Sequence, residues 1–592
     1  MQRSTRVLAA VGVVAVLGVA RLGLAQSIAT VPDDAILMVK VNNIQKVSQK
    51  IGKLCEQWGI AAIKPEAADP LGFIQNRTQI KKGVNTAGEM AVIMLQPGQG
   101  PPPMIIMIPV TDYQGFLGNF QNTTADGAIS NISLAPDGEP AFVTQWGSFA
   151  ALAMDKTLLE TKLTSAPFPA QAAKQMAGRD VVAYVNFRAF RDQAVGALAF
   201  GKPFLLSQLD QQSKKAASAD KRKFVPLAKI AMGQVFNGIE HVLKETQAAT
   251  YGIALGDDGI QVTTICEFEP NSYLAQTVAK VKNVQGNFAA GLPDGKYAVV
   301  GGIMLDSPVY GQLIDDAAAP VLAEVAKMGA EMKPIADYVA AMKSSVLAMK
   351  RESIAVAGSD QKVGEGSLFH TVVVVDGDAK AILAAQKTMM QSQEQFMKLL
   401  DFQNSGAVTK TEIKPGAKTV DGVSFDEMTV TMSGLPEGSP QAAIQKMMYG
   451  PNGIKMYLGE INPQTMLLVQ LGDDAVLQKS IEAARTRKTT FLDASIKQVS
   501  AKLPDTRFVE MYLSVDQGAA MISKVMQSMT GQPLPVDIPA GQPPIGMSAS
   551  TEGASIRTDV YVPSVVIQNV VGGVMQMQMG KMMNDKKQDG GL

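Results

Sequence analysis

The chain has 592 residues, 46% hydrophobic and 18% charged, enough length for two to four ordinary domains whose cores need neither metal nor disulfide. Its 54 basic side chains balance 54 acidic ones, so no net field marks it as a dedicated nucleic-acid binder or an acidic sequestering protein. With only Cys55 and Cys266, a disulfide framework of the small secreted type is excluded. One bridge stays open in an oxidising compartment, although two buried thiols fit the pattern better.

The N-terminus places Arg3 and Arg6 before an apolar run at 7–20, then Gly23-Leu24-Ala25 with small residues at −3 and −1 of a cut after Ala25. These are the three parts of a secretory signal peptide, and Arg21 ends the run short of the roughly 20 apolar residues a spanning helix needs. Residues 1–25 are therefore expected to be a signal peptide, with a retained anchor as the alternative. Beyond residue 26 no run is long enough to cross a bilayer, so no membrane span is expected in the mature chain.

Five units then follow in order. Val31-Pro32-Asp33-Asp34 opens a strand at 35–41, and Ile44, Val47, Ile51 and Leu54 keep a helical period. Strands at 89–95 and 104–110 flank a Pro/Gly-rich hairpin tip, and Asp112 caps the next helix. A second pair, 142–145 and 149–154, leads to a helix after Asp155. Gly178-Arg179-Asp180 opens a strand at 181–187, and helices extend over 202–248. The first half closes on a hairpin carrying Gly252 and Gly259, which ends near Pro270.

Leu292-Pro293-Asp294-Gly295 begins a second series with the same order of units. A strand at 297–305 leads to a helix with Ser307 as N-cap and Pro308 at its first position, expected to run towards Met349 with kinks at Pro320 and Pro334. Strands at 353–357 and 368–375 precede Asp378 and a helix. Residues 404–439 read as turns with one strand at 427–432. Strands at 455–459 and 465–471 precede a helix after Asp473-Asp474. Leu503-Pro504-Asp505 opens 508–513, and 530–544 is a Pro/Gly-rich connection. The final hairpin repeats the seven-residue glycine spacing at Gly546 and Gly553, then enters a helix after Pro563.

Strand pairs with short hairpins favour antiparallel sheet, the α+β class: two similar halves, each of antiparallel strand pairs with helices packed on one face. Val372 to Val375 are apolar on both faces, so sheet centres buried on both sides are expected in places. The boundaries are a signal peptide at 1–25, halves at 26–288 and 289–573, and a Met-rich and polar C-terminal tail at 574–592 that is expected to fray after Met583.

Chemistry is sparse. His241 reads as a helix residue and His370 as a strand residue, too few for a histidine metal site, and neither HExxH nor Cys-x-x-Cys occurs. G-x-S-x-G, the Walker phosphate loop and the dinucleotide glycine fingerprint after a strand are also missing. The adjacent acids Asp33-Asp34, Asp257-Asp258, Asp315-Asp316 and Asp473-Asp474 point to opposite faces if on strands, whereas catalytic carboxylates must converge across a cleft. Asp112, Asp155, Asp378 and Asp474 stand where strands give way to helices, positions that favour capping.

Methionine is abundant at 33 residues, and Met575, Met577, Met579, Met582 and Met583 read as helix packing, with Cu(I) binding the sharper alternative. Lys214, Lys215, Lys221, Arg222 and Lys223 form the densest basic patch, a solvated face or a contact for an acidic polymer or lipid headgroup. Asn76, Asn122 and Asn131 are glycosylation acceptors in a eukaryotic secretory setting.

The leader, the run Val-Pro-Asp-Asp-Ala-Ile-Leu-Met-Val-Lys-Val and the Pro-Asp openings at Pro293 and Pro504 together resemble large exported bacterial proteins grouped as families of unknown function. The resemblance implies a periplasmic or surface location. The expectation is an exported, non-enzymatic protein of the cell envelope with a binding or structural role, whose partner is an envelope protein or polymer. No catalytic, cofactor-binding or metal residues are assigned. A carboxylate-dependent hydrolase acting on an envelope or extracellular polymer is the alternative.

Overall fold

The computed structural model describes residues 28–589 except 29, 99, 122, 135–138, 161–162, 216–224, 360, 362–365, 400–407, 435–441, 443–444, 446–447, 488–493 and 535–537. The expected signal peptide, Asn122 and the basic residues Lys221, Arg222 and Lys223 lie outside the described residues. The chain divides into two compact units, one containing residues up to 194, 243–275 and 554–592, the other 195–242 and 276–553.

The first unit begins with a short strand β1, Thr30–Pro32, followed by β2, Ala35–Val41. Helix α1, Ile44–Gln57, is capped by Asn43, whose side chain accepts the Lys46 N–H, and α2, Pro70–Thr78, is capped by Asp69. Strands β3, Met90–Leu95, and β4, Met104–Pro109, form the expected hairpin before α3, Tyr113–Leu117. A hairpin of β5, Thr124–Asp126, and β6, Ile129–Leu134, follows where no strand was expected. Its turn is set by Gly127 in the left-handed region at φ 65°.

Strands β7, Glu139–Trp146, and β8, Phe149–Ala153, come next, and the helix after Asp155 is a single turn, Thr157–Glu160. β9, Ser165–Pro167, pairs antiparallel with β1. Helix α4, Ala170–Gly178, and β10, Val181–Asn186, lead into α5, Phe187–Lys215, and α6, Val225–Glu245. The first series closes with β11, Thr246–Gly256, and β12, Gly259–Phe268.

All these pairings are antiparallel, and the strands of the main sheet neighbour one another as β5-β6-β7-β8-β4-β3-β2-β10-β11-β12. The alternation of side chains across the pleat gives each face its own core. Val41, Val92, Ile106 and Val181 pack beneath α1 and α2. Met38, Ile93, Ile105 and Val182 pack on the opposite face with Ala172 and Met176 of α4. The sheet centre is therefore buried on both sides.

The second unit is also antiparallel. Strand β13, Tyr297–Met304, precedes α7, Val309–Met328. This helix starts one residue later than expected, and the Ser307 hydroxyl still accepts the Val309 N–H at 3.4 Å. It tolerates Pro320 but stops at Gly329, with φ 101°, and after one 3-10 turn a separate helix α8, Lys333–Ala348, begins. Pro334 thus opens a helix, where its missing N–H costs nothing, and does not kink one.

β14, Met349–Gly358, and β15, Phe369–Gly377, lead to α9, Ala379–Leu399. The segment expected to hold one strand forms a long hairpin of β16, Val408–Val420, and β17, Val423–Ser433. Its turn is Asp421-Gly422, both with positive φ, the pair that suits the twist of a two-residue hairpin. β18, Ile454–Asn462, and β19, Thr465–Gln470, precede α10, Asp474–Thr486; β20, Val509–Leu513, precedes α11, Val515–Thr530, and β21, Ile545–Thr551.

Pairing runs β16-β17-β18-β19-β15-β14-β13-β20-β21. Ile382, Leu383 and Met390 of α9 cover Val375, Met456, Met466 and Leu468.

The chain then returns to the first unit with β22, Ser555–Pro563, and α12, Ser564–Asp589. The tail expected to fray is helical to Asp589, because its i, i+4 spacing continues that of the preceding apolar turns. β22 pairs antiparallel with β12, from Gly259 opposite Pro563 to Glu267 opposite Ser555, centred on Thr263 and Asp559.

Candidate interaction surface

The carboxylates at strand ends are committed to backbone N–H groups. Asp112 accepts the Gln114 N–H at 3.1 Å, Asp155 that of Thr157 at 2.9 Å, and Asp378 that of Ala381 at 3.1 Å. The Thr157 N–H holds Asp155 below the usual carboxylate range. In the fourth case the cap is Asp473, not Asp474: Asp473 accepts the Val476 N–H at 2.9 Å, whereas Asp474, one residue inside the helix, pairs with Lys418. Asp257 pairs with Lys53 at 2.5 Å and Asp315 with Lys343 at 2.6 Å. Asp33 and Asp34 form a turn.

Sequence reasoning missed the buried ionic clusters: Arg557–Asp559 and Arg507–Glu510 are local, but the groups that complete the Asp559 cluster, Thr263 and Arg179, lie hundreds of residues away. In the first unit Asp559 is wholly buried; it accepts the Thr263 hydroxyl at 2.6 Å and the Arg557 guanidinium at 2.7 and 3.0 Å. Arg179 lies 4.0 Å from Asp559 and donates to Gln175, Gln261 and Thr263 at 2.6–3.0 Å. Lys40, also buried, meets Glu89 at 2.9 Å, and Glu89 accepts the Ile28 N–H. In the second unit, buried Arg507 and Glu510 pair at 2.7 Å with Ser500 and Tyr512 in bonding contact, and Asp376 sits between Arg351 and Arg487. These clusters tie strands together inside the sheets, although the buried Arg507 Nε is left without a partner.

Glu267 differs. One of its oxygens accepts the Gln171 N–H at the start of α4, the other has no partner, and burial pushes its carboxyl up. The Gln171 and Ala172 N–H groups at the first turn of α4 make it a helix cap supplied from a neighbouring strand.

His241 lies on exposed α6 and His370 on β15, as expected for a helix and a strand residue. Cys55 on α1 and Cys266 on β12 are free thiols, half-buried and not fully so, and desolvation raises both. Among the described residues no group of three or more His, Cys, Asp or Glu is placed to hold a metal. Met575 is half-buried and Met577 exposed on α12, while the side chains of Met579, Met582 and Met583 lie outside the described residues.

A cleft of about 20 Å³ in the second unit is lined by Lys282, Val284, Met304, Asp306, Ser307 and Tyr310. Its polar groups are spent on one another: Lys282 pairs with Asp306 at 3.1 Å, Ser307 donates to the Lys280 carbonyl and Tyr310 to the Met304 carbonyl. The volume falls below the range usual for small-molecule sites.

The surface feature that stands apart is apolar. On α5, Phe200 is 86% exposed and Phe204 62%, one turn apart; on α6, Val235 is 63% exposed, and Ile239 and Val242 follow at i+4 and i+7. The two helices run antiparallel, since Arg191 reaches the Thr246 carbonyl at 2.9 Å and Lys202 reaches Asn237 at 3.0 Å. Phe200 therefore lies level with Ile239, and Phe204 with Val235. On its other side α6 packs by Leu227 against Val325, Met332 and Ile335 of the α7–α8 region. The helix pair is held in place by one face and presents large hydrophobic side chains on another. The signal in the sequence was the spacing of Phe200 with Phe204 and of Val235, Ile239 and Val242, which periodicity alone assigns to a core.

No family model and no curated protein matches the chain. Two solved structures, crystal forms III and IV of TP0453, align at 8% identity, with TM-scores of 0.20 and 0.19. They cover 49% and 48% of this chain and 97% of their own. A likeness at that level decides nothing about this protein. Among the described residues no helix is long and apolar enough to cross a membrane.

Proposed function

We propose that the protein is an exported, non-enzymatic component of the cell envelope that acts by binding, and that the exposed face of α5 and α6 is the surface it uses. The observation that carries this reading is the cluster of Phe200, Phe204, Val235 and Ile239 in solvent, since apolar patches of this kind mark interaction sites. The commitment of the strand-end acids to caps and ion pairs supports binding over carboxylate hydrolysis. Export is supported by the Arg3/Arg6, apolar-run and Ala25 pattern, and the halves 26–288 and 289–573 by their recurring strand order.

The test is site-specific photocrosslinking in the producing cell. A photoreactive residue at Phe200 or Ile239 is expected to give adducts with a protein, polymer or lipid, and one at the exposed control position Gln532 is not. Equal labelling at all three positions would refute a binding role for this face.

A further inference from the structure

Helix α4 is fastened to strand β12 at both ends, by groups of different chemistry. Its nine residues, Ala170–Gly178, span about 13 Å, and the step along β12 from Thr263 to Glu267 spans about the same. At the C-terminal end Arg179 donates to Gln261 at 2.9 Å and to Thr263 at 2.6 Å, through a guanidinium that stays charged. At the N-terminal end Glu267, 8% exposed, accepts the Gln171 N–H at 3.4 Å with Oε1. Its Oε2 and the Gln171 Oε1 are both buried and both without a hydrogen bond. Two acceptors on residues already in contact lack one donor between them, and a protonated carboxyl supplies it.

Among the described residues no other neighbour does so. On β11 the Thr250 hydroxyl makes no hydrogen bond. On β10 Tyr184, packed edge-on against Phe168, is a neutral phenol, pushed up to about 12 by burial and by Glu267. Arg188 and Arg191 of α5 are engaged by Glu269, Arg557 of β22 by Asp559, and Lys174 of α4 is exposed. Burial pushes the Glu267 carboxyl up further than the Gln171 and Ala172 N–H groups draw it down, and no charged side chain opposes that shift.

We propose that Glu267 and Gln171 form a proton-operated clasp: a carboxyl that has taken a proton from solvent donates to the Gln171 amide oxygen and fixes the start of α4 on β12, and the clasp opens when the proton leaves. Because the folded value is raised, the stabilisation is complete below the ordinary 4.5 and is lost as pH rises through the folded value. Glu269, two residues on, works in the opposite sense but at lower pH, since its contribution is already complete above about 4.5.

Urea unfolding of the full chain at about pH 5.5 and about pH 8 tests the clasp, read by the fluorescence of Trp58 and Trp146, both in the first unit. Glu267→Gln keeps a donor at both pH values, and Gln171→Leu removes the acceptor. The unfolding constant of the parent divided by that of Glu267→Gln is expected to rise at least about threefold from the lower to the higher pH. Gln171→Leu is expected to lose less stability than the parent over the same interval. His241 and His370 titrate alike in all three chains and cancel in the comparison. A ratio that is constant or falls with pH overturns the proposal, because it makes Glu267 an ionised cap throughout. A Gln171→Leu profile that matches the parent also overturns it, and that comparison decides alone if Glu267→Gln does not fold.

Discussion

At the scale of single residues, the acids divide by what surrounds them and not by where they fall in the sequence. Asp559 is buried between Arg557 and Arg179, with Thr263 donating to it. Asp559→Asn should cost about 3–5 kcal/mol, because two guanidinium groups lose their counter-charge inside the protein. Urea unfolding of the first unit would measure it, and simultaneous Asp559→Leu and Arg179→Met should recover part of the loss. Glu269 is the clearest pH-linked group: hydrogen bonds from Arg188, joined by Arg191, hold its carboxyl at about 2, against an ordinary 4.5. Because the folded value is depressed, its contribution is complete above about 4.5 and is lost as pH falls towards about 2. Allowing for partial exposure, it contributes about 1–2 kcal/mol. Glu269→Gln should therefore flatten the stability profile in that window, as read by denaturation at pH 7 and at pH 3. The pairing of Asp559 with Thr263 was not legible in the sequence, since the two stand 296 residues apart.

At the scale of elements, local signals were reliable where they were used. The Asp caps at 112, 155 and 378 hold, because a carboxylate two or three residues ahead of a free N–H needs only local geometry. The β16–β17 hairpin also had its signal, Asp421-Gly422 between runs rich in Thr and Val, but the charged, turn-like flanks hid it. Glycines show the reverse. Gly301 reads as a weakness in a strand, yet β13 lies between β14 and β20, and a Cβ there would collide with the Glu510 carbonyl and stand 2.7 Å from the Met511 Cα. Gly301→Ala should cost about 1–3 kcal/mol through strand separation. Gly358→Ala, whose added methyl would meet only the Met521 side chain at 3.5 Å, should be close to neutral in the same unfolding assay.

At the scale of the whole molecule, the first unit is completed by the end of the chain. β12 bonds to β11 on one edge and to β22 on the other, so truncation after Gly553 would bare a ten-residue edge and leave Arg179 without Asp559. The truncated protein is expected to aggregate, seen as high-mass species in size-exclusion chromatography with light scattering, where the full chain elutes as a defined species. The neighbour order β7-β8-β4-β3-β2-β10-β11 in one unit has its counterpart in β18-β19-β15-β14-β13-β20-β21 in the other. The sequence by itself determined the α+β class, most strands and most of the capping positions, because these depend on side-chain period and on hydrogen bonds that span a few residues. Only the tertiary structure decided which strands neighbour one another, which acids are buried against arginine, and which apolar stripe is left in solvent. Those outcomes depend on contacts between residues hundreds of positions apart, and a helical period of Phe200 and Phe204 is the same in a core as on a surface.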